Sequence, residues 1–520
     1  MRKHLALLLV VSAFASAPAY AQDARGFLQE ADRAIGASQV NSIHYTGSGW
    51  MGAVGQNFAD GLDWPRTVLQ SYDVTIDYPS ESSREEYVRV QGDYPARGGG
   101  QMPIIGERRT LTLASGGYAW TENAEGQPVA LSSEDAELAR FMIAVSPHGI
   151  IKSAMAADDV TLIDRYVPSQ DRTLHVIAFT TMGHRVSAEF GDNHIMERFM
   201  TQIANPVMGD MQMEVRYEEW MDIGNGIMFP GLFHGHRGDH LLTERTGMNW
   251  MNLNVSAAEA NVANAALTVP PAVRNASDPA VNVAVQNIGQ GVWLMAGGSH
   301  NTVVIEFDDF VAVVDAPLNE ARSLAVIEAI HNTVPGKTIR YLINTHHHWD
   351  HLGGARTYVA QGATVITHES NADLYNRVVF APQIRTLNPD ALSRNPFATT
   401  GPGPVALELV NDRYFVSDGQ RTILIYHVEN LEHATDMLLT YIPDQQILVN
   451  ADLYTPPPAG TTPERINPSS IALYRNIRRL NLNVQTHVPI HGQPGGNADF
   501  ERIVGPAAMQ QAAAEGGGGG

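Results

Sequence analysis

Cysteine is missing from all 520 residues. Its absence excludes disulfides, thiolate metal ligands and a cysteine nucleophile, so any metal site must be built from histidine and carboxylate. Basic residues are few: 34 lysines and arginines stand against 55 aspartates and glutamates, a net charge of −21. That balance argues against a broad basic face, and no nucleic-acid partner is expected. Long apolar runs are also lacking. Leu5 to Phe14 is apolar but short for a bilayer, and no later stretch reaches about 18 apolar residues, so no transmembrane segment is expected. A hydrophobic content of 44% with 17% charge still describes a globular chain, long enough for two or more domains.

The first residues have the layout of an export signal. Arg2 and Lys3 precede the apolar stretch, Ala19-Tyr20-Ala21 gives a small-x-small cleavage pattern, and Gln22 is the expected mature start. The competing reading is a buried first helix. Removal of residues 1–21 leaves 32 basic and 55 acidic residues, a net of −23, and a periplasmic or secreted location is expected.

Residues 22–255 read as a β-rich accessory domain. Alternating stretches at Thr67–Tyr78, Arg109–Ala114 and Leu174–Phe190 are separated by glycine turns, with helical patterns at Ala24–Ile35 and Ser133–Phe141. This order resembles the curved antiparallel sheet of periplasmic lipoprotein carriers. Residues 256–280, rich in alanine, asparagine and proline, read as a linker with a short helix. Residues 281–507 read as mixed α/β, and the Ala/Gln/Gly-rich residues 508–520 as a flexible tail.

The chemistry concentrates in Thr345-His346-His347-His348-Trp349-Asp350-His351, directly after the apolar stretch Ile339–Ile343. In extended geometry His346 and His348 share one face and can grip one metal, while a tight turn brings Asp350 and His351 round to a second. The bland alternative is a solvated polar turn. Three further candidates, His433, Asp452 and His491, each follow an expected strand, where a rigid sheet positions a side chain and leaves its tip reachable.

His346-x-His348-x-Asp350-His351, followed by His433, Asp452 and His491, resembles the metallo-β-lactamase superfamily of metallohydrolases, over roughly residues 281–504. The heptapeptide is especially like glyoxalase II relatives, although the helical substrate domain of those enzymes is not expected in the residues after His491, and Glu432-His433-Ala434 stands where a glycine before the histidine is common. The resemblance implies an α+β fold, an αβ/βα four-layer sandwich. It implies two zinc ions per chain, with iron or manganese as alternatives. His346, His348 and His433 would hold the first; Asp350, His351 and His491 the second; Asp452 would bridge them. It further implies a hydrolase in which hydroxide on the metals, oriented by Asp350 as the catalytic residue, attacks an ester, lactone, thioester or amide of a small-molecule substrate. Asp315 matches the superfamily's early aspartate and, with Asp436, is expected to support the ligands. Two alternatives stand beside this. One is a metallo-β-lactamase acting on β-lactams, against which Asp452 argues. The other is a periplasmic lipid- or hydrophobic-ligand-binding protein with a non-catalytic metal domain.

Other residues carry weaker signals. His347 alternates away from its neighbours and is expected to make a supporting contact; Trp349 is expected to pack at the base of the site, and His487 to sit in the core or rim. His234, His236 and His240 form a second cluster, read either as a metal site or as a strand and hairpin turn. The segment 376–403 reads either as a loop over the active-site mouth, with Phe380, Arg385 or Phe397 touching substrate, or as a surface insertion.

Overall fold

The computed structural model of the protein describes residues 17–100, 102–239, 248–380, 385–394, 405–458 and 460–517. Residues 1–16 of the expected export signal lie outside them.

The N-terminal half is one antiparallel sheet of thirteen strands. Two runs of hairpins form its wings, and they meet where Ser42–Gly52 pairs with Asn249–Ala260. Arg66–Asp77 shows how sequence sets the faces. Thr67 and Leu69 turn inward with period two, the register shifts between Leu69 and Ser71, and Tyr72, Val74 and Ile76 resume the alternation after this bulge. Three helices, Ala17–Ile35, Ser133–Ala144 and Pro147–Ala156, close the apolar face. Ser132 and Asp135 form a capping box at the second, and a proline opens the third.

The C-terminal half stacks two sheets. One contains Val292–Ala296, Thr302–Glu306, Phe310–Val314, Thr338–Ile343, Thr364–His368 and Leu407–Val410, with Ala284–Gly289 on its edge. The other runs Arg413–Ser417, Thr422–His427, Leu438–Ile442, Ile447–Ala451, Thr486–Pro489 and Gly495–Gly496. Alternation again assigns the layers: Val303, Ile305, Ala312 and Val314 face the second sheet, while Val304, Val311 and Val313 face the outer helix Glu320–Thr333 through Val326, Ile327 and Ile330. Helices Pro468–Arg479 and Asn497–Gly517 cover the other side. The outer apolar layer of the first sheet is continuous with the core of the N-terminal sheet, so the two halves share packing.

Two segments depart from expectation. Residues 256–260, expected in the linker, belong to the sheet, because Ser42–Gly52 offers partners as far as Ile43 opposite Ala260. Val269 and Val273, the latter in the short helix Pro271–Arg274, pack on Leu111, Leu113 and Trp120. The expected flexible tail is helical to Gly517, since alanine, glutamine and glutamate are good helix formers. Arg475 also binds Glu515 at 3.1 Å.

Candidate metal centre

Strand direction brings the site together. Phe310–Val314, Thr338–Ile343 and Thr364–His368 run parallel, as do Ile447–Ala451 and Thr486–Pro489. Their carboxyl ends therefore lie along one edge of the sandwich. His346 and His348 leave that edge on the loop after Ile343, and Asp350 and His351 occupy the turn Trp349–Leu352. His433 follows Thr422–His427, Asp452 follows Ala451, and His491 lies two residues past Pro489. Asp315 and Ala451 hold left-handed backbone, φ 62° and 47°, at the points where chain turns out of strand into the site.

All seven expected ligands converge. His346 Nε2 lies 2.9 Å from His348 Nδ1 and 3.3 Å from His433 Nε2. Asp452 Oδ2 is 3.4 Å from His433 Nε2, and its Oδ1 is 3.0 Å from His351 Nε2 and 3.3 Å from His491 Nε2. Asp350 Oδ2 is 3.9 Å from His351 Nε2. Tetrahedral ligands at zinc distances sit about 3.3 Å from one another, so these separations suit shared cations. Asp452 touches both groups.

The outer nitrogens fix which atom points inward. His346 Nδ1 donates to Thr345 Oγ1 at 3.0 Å, which itself donates to Asp315. His348 Nε2 donates to the Asn57 carbonyl at 2.9 Å, His351 Nδ1 to Asp315 Oδ2 at 2.8 Å, and His491 Nδ1 to the Ser299 carbonyl at 3.1 Å. Burial pushes His346 and His348 well below the ordinary imidazole range, and neighbouring imidazoles add to the effect. Two neutral rings with their outer nitrogens protonated thus aim lone pairs at each other across 2.9 Å. His351 Nε2 and Asp452 Oδ1 are close, yet neither has an aligned hydrogen bond despite being buried. A cation between them would give each of these atoms an aligned partner. The donor set fits a pair of divalent cations.

Charge is arranged to match. Burial opposes ionisation of Asp452, but His351, His433 and His491 outweigh it and hold the carboxyl well below its usual range. Asp350 is likewise held low by His351 and by the His300 hydrogen bond, against its burial. Burial works against a charged His351, but Asp452, Asp350 and Asp315 raise its basicity well above normal.

Supporting residues divide unevenly. Asp315, fully buried, accepts from Thr345 N, Thr345 Oγ1 and His351 Nδ1, each at 2.8 Å. Asp436 instead accepts from His347, through its backbone N at 2.8 Å and Nδ1 at 2.7 Å, and so anchors the loop rather than a converging imidazole. His487 sits in the core against Tyr454 and Phe500, and Trp349 packs edge-on against Trp64 at 5.2 Å.

One site residue escaped the sequence reading. His300 Nε2 lies 3.2 Å from Asp350 Oδ2, and His300, Asp350, His351 and His491 form one group able to hold a cation. It stands just before Thr302–Glu306, at the start of a strand rather than past the end of one, so the positional rule that found the others passes it over.

The weaker candidates resolve differently. His234 and His236 lie on the strand Leu232–Asp239 with their Nε2 atoms 3.0 Å apart, and His236 Nδ1 is 3.7 Å from Glu214 Oε1; among the described residues they belong to no group of three able to hold a metal ion, and His240 lies outside those residues. Phe380 is buried against Tyr375, and Arg385 donates to the carbonyls of Asn205, Pro206 and Val207, so both pin the insertion to the protein rather than reach a substrate. Phe397 lies outside the described residues.

Residues 295–486 match the family model of the metallo-beta-lactamase superfamily, and this part of the chain is a domain of that superfamily. The alpha subunit of 2,4-dinitroanisole O-demethylase from Nocardioides sp. (strain JS1661) is 26% identical over 213 residues, which cover 40% of this chain and 58% of that relative's length. Among solved structures, a metallo-beta-lactamase from Pontibacter korlensis is 19% identical, covering 43% of this chain and 98% of its own, with a TM-score of 0.32. Rubredoxin oxygen:oxidoreductase from Desulfovibrio gigas is 13% identical, covering 44% and 61%, with a TM-score of 0.33.

Proposed function

We propose that the chain is an exported metallohydrolase with two zinc ions, iron or manganese being the alternatives, that cleaves an ester, lactone, thioester or amide bond in a small molecule. The observation that carries this reading is the inward convergence of imidazole and carboxylate atoms whose outer partners are already engaged. His346, His348 and His433 would hold one cation, and Asp350, His351 and His491, with His300 beside them, would hold the other, with Asp452 in reach of both groups. When bound, such a pair supplies a water activated at neutral pH and polarises the scissile carbonyl. Asp350 Oδ2, on the inner side of its carboxylate, orients the attacking water and takes its proton.

Two clefts flank the centre and share Asn467. One, of about 270 Å³, is walled mainly by Pro95, Ala96, Met102, Pro103 and Pro468, with the polar Arg97, Glu432 and Ser469 also lining it, and reaches His433. The other, of about 170 Å³, runs past Asp452, Thr455 and Arg465. A substrate with a compact apolar part on the His433 side and a polar part near Arg465 fits both. The Nocardioides relative is named for O-demethylation of 2,4-dinitroanisole, and the apolar cleft favours an aryl group enough to include that compound among the trial substrates.

Metal analysis with a substrate panel tests the proposal. The panel comprises nitrocefin, lactones, p-nitrophenyl esters, a thioester, bis-p-nitrophenyl phosphate and 2,4-dinitroanisole. The expected result is two divalent ions per chain and turnover of an ester, lactone or thioester, lost in Asp350→Ala with folding retained. Turnover of nitrocefin alone would favour a β-lactamase, and metal-free protein without turnover would favour a binding protein.

A further inference from the structure

The loop after Ser42–Gly52 is spliced into the metal centre residue by residue. The Gly55 carbonyl accepts from Trp349 N at 3.1 Å, Gln56 Nε2 donates to Asp350 Oδ1 at 2.7 Å, the Asn57 carbonyl accepts from His348 Nε2 at 2.9 Å, and the Phe58 carbonyl accepts from Thr435 N at 3.0 Å. Four consecutive residues of the N-terminal domain thus each hold one group of the metal domain, and two of those groups belong to proposed ligands.

The loop is itself held rigidly. Gln56 Oε1 accepts from Gly100 N at 2.8 Å, and Asn57, 2% exposed, donates to the carbonyls of Ala59 and Leu62. Gly98 N donates to the Glu432 carbonyl at 2.8 Å, and Arg97 pairs with the Glu432 side chain, next to His433. Two glycines permit the approach. A Cβ on Gly55 would meet Trp349 at 2.6 Å, and one on Gly99 would lie 2.0 Å from Gln56 Oε1 and 2.8 Å from His348 Nδ1. The second contact is with the nitrogen that faces the cation position.

We infer that the N-terminal domain is a working part of the metal centre: Gln56 positions the Asp350 carboxylate, and the Asn57 carbonyl sets the His348 tautomer. Asp350 has two oxygens. With Oδ1 bonded to Gln56, Oδ2 is the one turned toward His300 and His351. His348, with its Nε2 proton given to Asn57, presents Nδ1. Partners of this kind orient ligands in metal sites, and losing one typically costs about 10–100-fold in metal affinity. This inference rests on the two-cation reading above.

The test uses the full chain and three variants, Gln56→Ala, Gln56→Met and Gln56→Glu. Met retains most of the side-chain volume, so it covers the case in which Ala disturbs folding. Glu retains an acceptor for Gly100 N but offers no donor to Asp350, which separates positioning from loop anchoring. Zinc affinity is measured by chelator competition, the ligand field by the visible bands of the cobalt-loaded protein, and folding by metal-free melting. The expected result is weakening of one cation by about 10–100-fold in all three variants. The cobalt bands of that site alone should change, and metal-free Met and Glu should still melt in one cooperative transition, which shows that the fold is kept. Gly99→Ala, whose Cβ would press on both Gln56 and His348, should weaken both cations. Wild-type affinity and cobalt bands in Gln56→Glu and Gln56→Met would overturn the inference and leave the two-cation reading standing. Failure of the unmodified chain to take up two cations would overturn both.

Discussion

Asp315→Asn probes the carboxylate oxygen on which one half of the metal centre depends. Asparagine keeps the volume and tolerates the left-handed backbone at φ 62°, so the turn after Phe310–Val314 is retained. What changes is the sign of both contacts at Oδ2, those with His351 Nδ1 and Thr345 Oγ1. Asp315 Oδ1 accepts from Thr345 N while Oδ2 accepts from His351 Nδ1. An asparagine that still accepts from Thr345 N turns its NH2 toward His351. The imidazole must then accept at Nδ1 and carry its proton on Nε2, the atom that lies 3.0 Å from Asp452 Oδ1. The same inversion of tautomer is what disables a catalytic histidine when its aspartate is made asparagine. Loss of a hydrogen bond to a charged partner costs about 1.5–3 kcal/mol, and zinc affinity at the Asp350, His351, His491 position falls about 10–100-fold. Chelator competition near neutral pH reads the affinity, and metal-free melting reads the stability. Unchanged zinc affinity, or a loss confined to the His346, His348, His433 position, would refute the reasoning.

Other consequences are equally open to measurement. Asp452→Ala removes the one carboxylate shared by both groups, and zinc stoichiometry should fall from two to one or none while circular dichroism stays that of the wild type. His487→Phe replaces a buried ring between Tyr454 and Phe500, and metal content should be unaffected; loss of a cation would show that His487 had been misplaced. Asp390 is held at about 2: burial opposes its ionisation, but the pairing with Arg356 outweighs it. Against an ordinary value of about 3.9 this corresponds to about 2–3 kcal/mol. Because the folded value is depressed, the contribution is present above pH ~4 and lost as pH falls toward ~2. Denaturant unfolding of wild type and Asp390→Asn should therefore differ at pH ~6 and converge near pH ~2. If the protein is exported, mass spectrometry of material secreted into the periplasm should find an amino terminus at Gln22.

Much of the metal domain was legible because its signals are local. Short, nearly continuous apolar runs bounded by polar turns gave strands within a residue or two at Phe310–Val314, Thr364–His368 and Leu438–Ile442. Every expected ligand follows a strand, so placement on one edge needed only the sheet direction. The N-terminal domain was less legible. Met196–Asn205 carries Glu197 and Arg198 side by side, which breaks its alternation, while Arg198 pairs with Glu189 and Glu214 on neighbouring strands. His300 was missed as a lone histidine. Gln56 and Asn57 were out of reach for a different reason: they act 294 and 291 residues away along the chain, through a neutral amide and a backbone carbonyl. Neither has a sequence signature for metal support. The helical C-terminus was masked by composition, since alanine and glutamine serve a tail and a packed helix alike.

The most direct test is anomalous diffraction at the zinc edge from crystals of the full, zinc-loaded chain. The account predicts two peaks about 3.5–4 Å apart. One should lie within bonding distance of His346, His348 and His433, the other of Asp350, His351 and His491, with Asp452 reaching both. A single peak, no peak, or zinc bound instead at His234 and His236 would contradict it.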